Sequence, residues 1–552
     1  MSLFGVALFA CILFSLGYIF YGRLLARWFD LKASRTTPAC KINDGVDFVP
    51  AKPQLLLGQH FSAIAAAGPI VGPILGALWF GWLPTLIWII AGAIFFGAVH
   101  DFSTLVGSVR HNARSIVELV HELLGARAYA LFLGFVWLSL IYVIIAFTDL
   151  TSGSFVEPTY GGAVASSSAM YLLIGILMGL CLYKWKLPLG IATAIFLPIV
   201  GFSIWFGQYI PLTLPATLGL RPQILWNVVI LGYCFVASII PVWVLLQPRG
   251  YLGGFFLYVT LAAGVVGLFL GGDPIQYPAF IGFTSAKGLP LFPILFVTVA
   301  CGACSGFHGI VSSGTTSKQI EKETDCRVVG YGGMLLEGLV AVIALATVML
   351  LAPGDAATQQ SPDRIYANGL SHFVERFGIN GEFARSFALL AFATFIYDTL
   401  DVATRLARYI FQELVGWKEN KGSVAATLIT LAIPALSMSW TVKDAAGNIV
   451  PAWKVFWTLF GTSNQLLAAL TLLTITVWLK RTKKPWLVSA IPAAFMLVMT
   501  LWSLYLMVQP WISGLLAGQQ AMNGIALVAL ILAALATLVV IEGFKAFSRP
   551  IR

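Results

Sequence analysis

Charge is what this sequence has least of. Only 10% of its 552 residues are Asp, Glu, Lys or Arg, against about a quarter in an ordinary soluble domain. With 59% hydrophobic residues and a mean hydropathy of +0.89, the chain cannot cover its own surface with polar groups in water. Also missing is the polar–apolar alternation of a membrane β-barrel. The apolar runs are continuous instead, and several exceed the roughly 20 residues with which an α-helix crosses a hydrocarbon core. Cysteine is sparse. The seven lie in apolar runs or basic loops (Cys40, Cys326), so no disulfide framework is expected. Cys301 and Cys304 form a CxxC, but among Gly and Ala, and read as small packing residues. No phosphate-binding loop is present, "VHELLG" is not HExxH, and no basic run is long enough for a nucleic-acid tail.

What is there is an all-α polytopic membrane protein with about fifteen transmembrane helices. They fall near 3–24, 58–81, 83–105, 128–149, 166–183, 189–207, 223–246, 251–271, 290–313, 332–352, 383–411, 422–438, 452–479, 485–507 and 523–541. The first has no basic stretch before it and too long an apolar run for a cleaved signal, so it is an uncleaved span. Loops after odd-numbered spans hold most of the Lys and Arg. Examples are Arg27 and Lys32, Arg110 and Arg114, Lys184 and Lys186, Arg249, Lys318 and Lys322, and Lys480 and Arg481. That bias explains the net charge of +10, and it places the N-terminus outside and the C-terminus in the cytoplasm. Residues 114–124 place Ile116, Val117, Val120, Leu123 and Leu124 on one face of a surface helix, with His121 and Glu122 toward water. The outer connection 353–382 has room for a short helix. The expected organisation is a peripheral first helix and basic loop (1–57), a core (58–480) and C-terminal peripheral helices (481–552).

Four places break the apolar pattern, and polar groups in lipid-embedded helices mark function. The first is "GQHFSAIAAAGPIVGP", where two Gly–Pro pairs are expected to unwind the helix over 68–73. Ala67, Gly68 and Val71 would offer backbone groups there, and His60 a substrate or proton contact. The second is "CGACSGFHGIVSSGTTSKQ", residues 301–319, with His308 and the hydroxyls of Ser312, Ser313 and Thr315. Its helix is expected to dissolve into polar sequence, so that broken helices lie near 58–81 and 290–319. By loop parity they run in opposite directions, as two discontinuous helices of an inverted repeat do. The third is "DTLDVATRLARY". Asp398 and Asp401 share a face with Arg405, which is expected to restrain one of them. These carboxylates are the candidates for ion coupling. The fourth is "GAVHDF", with His100 and Asp101; Glu337 and the pair Asn464–Gln465 are further embedded polar positions.

These stretches together resemble the carbon starvation protein A family. The resemblance runs through "DGVDFVPAKPQLLLGQHFSAIAAAGPIVGPI", "GAVHDF", "SGFHGIVSSGTTSKQI", "GYGGMLLEG", "DTLDVATRLARY" and "LFGTSNQLLAAL", in order along most of the chain. It implies uptake of short peptides, or proton-coupled uptake of pyruvate. It also implies the LeuT-type inverted-repeat core of the amino acid–polyamine–organocation transporters. On that resemblance the spans at 58–81, 290–313 and 383–411 correspond to the first, sixth and eighth core helices. The expectation is a secondary active transporter of the bacterial inner membrane, working by alternating access. Its partners are the lipid bilayer and a small molecule, short peptide first and pyruvate second, with no nucleic acid. No cofactor is expected, and the coupling ion is a proton ahead of sodium. The competing readings are a haem or metal oxidoreductase using His60, His100 and His308, a channel, and a membrane nutrient receptor.

Overall fold

The structure, a computed structural model, describes residues 2–549 apart from 45–47, 66, 216–219, 242, 418, 438–450 and 519–523. Side chains are described for all of these except 398, 419–421, 452 and 455. Among the described residues there are helices and isolated β-bridges but no strand. This is the outcome expected where water is absent, since a helix satisfies its backbone groups within one segment.

The chain opens with α1 (Leu3–Leu16), α2 (Gly22–Trp28), α3 (Pro38–Ile42), α4 (Pro53–Ile64) and α5 (Gly68–Phe80). Next come α6 (Trp82–Gly92), α7 (Ala98–Arg110), α8 (Ile116–Leu124), α9 (Ala126–Phe155), α10 (Gly161–Tyr183) and α11 (Leu189–Gly207). The middle holds α12 (Pro222–Ile239), α13 (Leu246–Leu270), α14 (Leu291–Thr298), α15 (Gly306–Gly314), α16 (Gly332–Met349) and α17 (Pro362–Glu375). The chain closes with α18 (Gly381–Val415), α19 (Glu419–Ser437), α20 (Ala452–Arg481), α21 (Leu487–Leu516) and α22 (Gly524–Ser548). One π-helical turn joins α1 to α2, a second joins α6 to α7, and a third precedes α16.

Local chemistry sets the ends. Proline opens α4, α5, α12 and α17, at positions where its missing N–H has no intrahelical partner to lose. Ser115 and Glu118 form a reciprocal capping box on α8. That helix turns its apolar side inward and leaves His121 and Glu122 exposed, as its periodicity requires. Asn380 caps α18 through the amides of Glu382 and Phe383, and Gly416 closes it at φ +70°.

Among the described residues twelve helices are long and apolar enough to cross a membrane, or thirteen if the bent pair α4–α5 counts as one. Two expected spans have a different form. The stretch 290–313 is not one helix but α14 and α15, of eight and nine residues. The stretch 422–438 is a shorter apolar helix. On α22, Leu530, Ile531, Ile541 and Phe544 are exposed, an apolar surface that lipid would cover.

The chain divides into two compact units. One comprises residues 1–4, 137–276 and 346–457; the other comprises 5–136, 277–345 and 458–552. In the first, α18 packs on α12, α13, α17 and α19, and α10 on α11. In the second, α5 packs on α6 and α14, α15 on α4 and α7, and α21 on α14 and α22.

Candidate functional site

The second unit holds both breaks, and they lie against each other. The first is not where the Gly–Pro pairs stand. The chain leaves α4 at Ala65 and re-enters a helix at Gly68, with a bend of 52° between α4 and α5. Pro69 sits in the first turn and Pro73 inside an intact α5, so 68–73 is helical. Nor is Val71 free to offer its amide, which donates to the Ala67 carbonyl at 2.9 Å. Proline is tolerated in the first turn of a helix, where Pro69 stands, and Pro73 sits further inside α5 without breaking it.

The glycines have another purpose. Gly68, Gly72 and Gly76 recur every four residues and form one bare ridge. A Cβ on Gly68 would lie 2.2 Å from Cys301 Sγ, and one on Gly72 2.6 Å from the Thr298 carbonyl oxygen. One on Gly76 would meet Val299 at 2.9 Å. Three glycines at this spacing let two helices approach to backbone contact, the small-residue packing of membrane interiors. Across this ridge runs the second break, residues 299–305, between α14 and α15. It too is displaced from expectation. The polar stretch from Gly306 to Gly314 is helical, and the small residues "VACGACS" before it are not. Cys301 and Cys304 are buried there as free thiols.

A broken helix leaves orphan amides on one half and orphan carbonyls on the other. Asn464 and Gln465 supply the missing partners. Asn464 Oδ1 accepts from the Phe307 amide at 3.0 Å, its Nδ2 donates to Ser305 Oγ at 3.0 Å, and a longer contact reaches Cys301 Sγ at 3.3 Å. Gln465 Nε2 donates to the Phe296 carbonyl at 2.9 Å. One side chain thus caps the start of α15 and its neighbour the end of α14. Gly461 brings α20 close enough, since a Cβ there would lie 2.0 Å from the Val297 carbonyl oxygen. Gln465→Leu should therefore leave the part-buried Phe296 carbonyl without this donor, costing about 0.5–1.5 kcal/mol. A fall in melting temperature of the purified variant checks this; a melting curve like the wild type's would remove the capping role.

The embedded ionisable groups also converge. His100 Nδ1 lies 2.8 Å from Asp101 Oδ1, and Asp101 Oδ2 lies 2.9 Å from His308 Nδ1. His308 Nε2 lies 3.0 Å from Glu337 Oε2. The four side chains form one continuous chain, each at most 1% exposed. His60 stands beside it on α4 with Nδ1 2.9 Å from Thr316 Oγ1. Each histidine thus meets a protein oxygen, and among the described residues no three His, Cys, Asp or Glu groups are arranged to hold a metal ion. The hydroxyls of α15 divide. Ser313 Oγ donates to the Gly309 carbonyl and accepts from the Ile116 amide at 2.8 Å, tying α15 to α8. Thr315 donates back to Val311, and Ser312 Oγ is buried with no hydrogen-bond partner among the described residues.

The aspartates of α18 belong to the first unit. Asp398 lies on the helix, but its side chain falls outside those described. Asp401 does not pair with Arg405. Its Oδ2 lies 2.5 Å from Arg249 Nη1 and accepts from Tyr233 Oη at 2.7 Å. Arg249 also donates to Tyr233 and is 1% exposed. Arg405 instead donates to the carbonyls of Ala237 and Ile240, at 2.5 and 2.6 Å, where α12 ends. The four-residue spacing placed Asp401 and Arg405 on one face, but a freed helix-end carbonyl is a geometric match for a guanidinium. Arg249 thus enters as a buried residue of α13 and not a loop charge. Its signal in the sequence was position, at the head of the apolar run "RGYLGGFFLYVTL".

With this geometry in place, comparison with known proteins is direct. The profile described as "Carbon starvation protein CstA" matches residues 3–365 and 354–503. The chain belongs to the carbon starvation protein CstA family. Its relatives include the peptide transporter CstA of Helicobacter pylori strain J99, 34% identical, with 92% of this chain and 82% of the relative aligned. The peptide transporter CstA of Bacillus subtilis is 31% identical over 98% of this chain and 96% of its own. The pyruvate/proton symporter BtsT of Escherichia coli K12 is also 31% identical, over 88% of this chain and 79% of its own. Among solved structures, a manganese transporter of Eremococcus coleocola aligns with 94% of this CstA-family chain at 13% identity and a TM-score of 0.44.

Proposed function

We propose that this CstA-family protein is a secondary active transporter of the bacterial inner membrane. It imports small carbon nutrients, short peptides first and pyruvate second, driven by a proton gradient, with the N-terminus outside. The observation that carries the reading is the pairing of two helix breaks by the Gly68–Gly72–Gly76 ridge, in a family whose curated relatives are named transporters. Broken helices facing each other are the means by which many secondary transporters expose backbone groups to substrate and ions at the membrane's middle. On this reading α4–α5 and α14–α15 are the two discontinuous helices of a LeuT-type inverted-repeat core, and their rearrangement alternates access. No enzymatic reaction is assigned to the chain.

Counterflow tests the reading without presuming the driving ion. Proteoliposomes loaded with unlabelled dipeptide or pyruvate should draw in the labelled compound transiently above equilibrium. Folded protein that exchanges neither would overturn the proposed substrates.

A further inference from the structure

We infer that the His100–Asp101–His308–Glu337 chain is the proton-binding site of this transporter, with Glu337 and His308 as the groups that take up and release the coupled proton. The inference rests on the transporter reading above and adds the site that couples it to the gradient.

The geometry itself requires a titratable proton. His308 presents Nδ1 to Asp101 at 2.9 Å and Nε2 to Glu337 at 3.0 Å. A neutral imidazole carries one N–H and one lone pair, so it can donate to only one of two carboxylates. The Glu337 contact is at ion-pair distance and not an aligned hydrogen bond, so an unprotonated Nε2 sets a lone pair against a carboxylate unless one further proton resides in the chain. It sits on the second nitrogen of His308, as imidazolium between two carboxylates, or on Glu337, as a carboxylic acid donating to Nε2. These two forms differ by moving a single proton across a 3.0 Å contact. Release of that proton leaves a lone pair facing a carboxylate, and the His308–Glu337 contact must open. Uptake closes it again. One proton is bound and one released per cycle, and no other reactant is needed.

Among the described residues, the titratable groups that interact with this chain include His60, Cys301 and Cys304, none of them a permanent cation. Asp401 differs, because its partner Arg249 holds a guanidinium that does not deprotonate in proteins. That pair is a fixed tie, which removes Asp401 alone from the coupling role.

The chain is also placed to act on the break. His308 stands in the first turn of α15, and the helices bearing the two carboxylates press on the unwound segment about one turn away. A Cβ on Gly97, four residues before Asp101, would lie 2.4 Å from the Ala303 carbonyl oxygen. One on Gly302 would lie 2.7 Å from Ala341, four residues beyond Glu337. Opening the His308–Glu337 contact therefore releases α15 from the helices that clamp its break. This is the differential contact that a coupled ion must make between two states.

The test is Glu337→Gln in proteoliposomes, with whichever of labelled dipeptide or pyruvate the wild type exchanges. Glutamine keeps the size and a hydrogen-bonding group but cannot titrate. Counterflow should persist near the wild-type rate, while accumulation driven by an imposed proton gradient falls about 5–150-fold, the range of a typical coupling free energy. Glu337→Asp should retain gradient-driven accumulation. If Glu337→Gln does not fold, His308→Gln and Glu337→Asp decide between them: the first uncoupled with exchange intact, the second coupled. Accumulation by Glu337→Gln or His308→Gln at the wild-type level would overturn the inference. So would equal loss of exchange and accumulation in a folded variant, which would assign the chain to substrate binding. A wild type that exchanges substrate but accumulates it only with sodium would overturn the inference and leave the transporter reading standing. Absence of all exchange in the wild type would count against that reading itself.

Discussion

Asp401→Asn is expected to destabilise the protein by about 3–5 kcal/mol. The loss follows from what remains behind and not from the ion pair's own strength. Arg249 is 1% exposed and its Nη1 lies 2.5 Å from Asp401 Oδ2, so removing the carboxylate takes a close counter-charge from a buried guanidinium. Replacing a whole buried pair by apolar residues of similar volume is far milder, often neutral. The double variant Arg249→Met, Asp401→Leu should therefore recover most of what Asp401→Asn loses, while Tyr233 loses a partner in either case. Thermal melting of the purified proteins measures both. Equal melting temperatures for wild type and Asp401→Asn would show that the pair does not hold α18 to α13.

Gly72→Ala should damage the second unit, because the added methyl has no room. The new Cβ would lie 2.6 Å from the Thr298 carbonyl oxygen and 3.2 Å from Val299 Cα, both backbone atoms that cannot swing aside. Overpacking of this kind costs about 1–3 kcal/mol, and here the strain falls on the chain entering the second break. Gly461→Ala strikes the adjacent carbonyl, Val297, at 2.0 Å, and should behave alike. Gly201→Ala on α11 is the control, since nothing lies within 4 Å of its Cβ position. Counterflow and melting should both fall for the first two variants and stay as wild type for the third. If Gly72→Ala exchanged substrate as wild type, the close approach of α5 to the break would have no part in transport.

The fold class was legible because hydropathy alone dictates it: runs such as "AIFFGAVHDF" or "GIALVALILAALATLVVIEGF" have no other way to satisfy their backbone in lipid. The existence of two breaks was legible too, from glycine, proline and clustered hydroxyls. Both fall inside the expected stretches 58–81 and 290–319, but the first lies just before the Gly–Pro pairs and the second at the start of residues 301–319 and not in their hydroxyl-rich half. Pro69 marks a helix start, and the small residues 299–305 yield where α5 and α20 hold their backbone from outside. That is a property of packing, invisible in one segment's composition. Distance along the chain hid the rest. His308 and Glu337 are 29 residues apart, and Asp101 meets His308 across 207. Each was recognisable as an embedded polar group, but nothing in the sequence linked them. Asp401 shows the limit of local spacing: it shares a face with Arg405, but tertiary structure supplied Arg249 as its partner.

Substrate and proton should enter together, with the proton bound by the His100–Asp101–His308–Glu337 chain. Proteoliposomes with a pH-sensitive dye trapped inside, and potassium with valinomycin clamping the potential at zero, test it most directly. With no imposed gradient, the substrate established by counterflow is added outside while label and lumenal pH are followed together. The lumen should acidify in step with label uptake, and Glu337→Gln should take up label without acidifying. Label uptake by the wild type at constant lumenal pH would contradict the account.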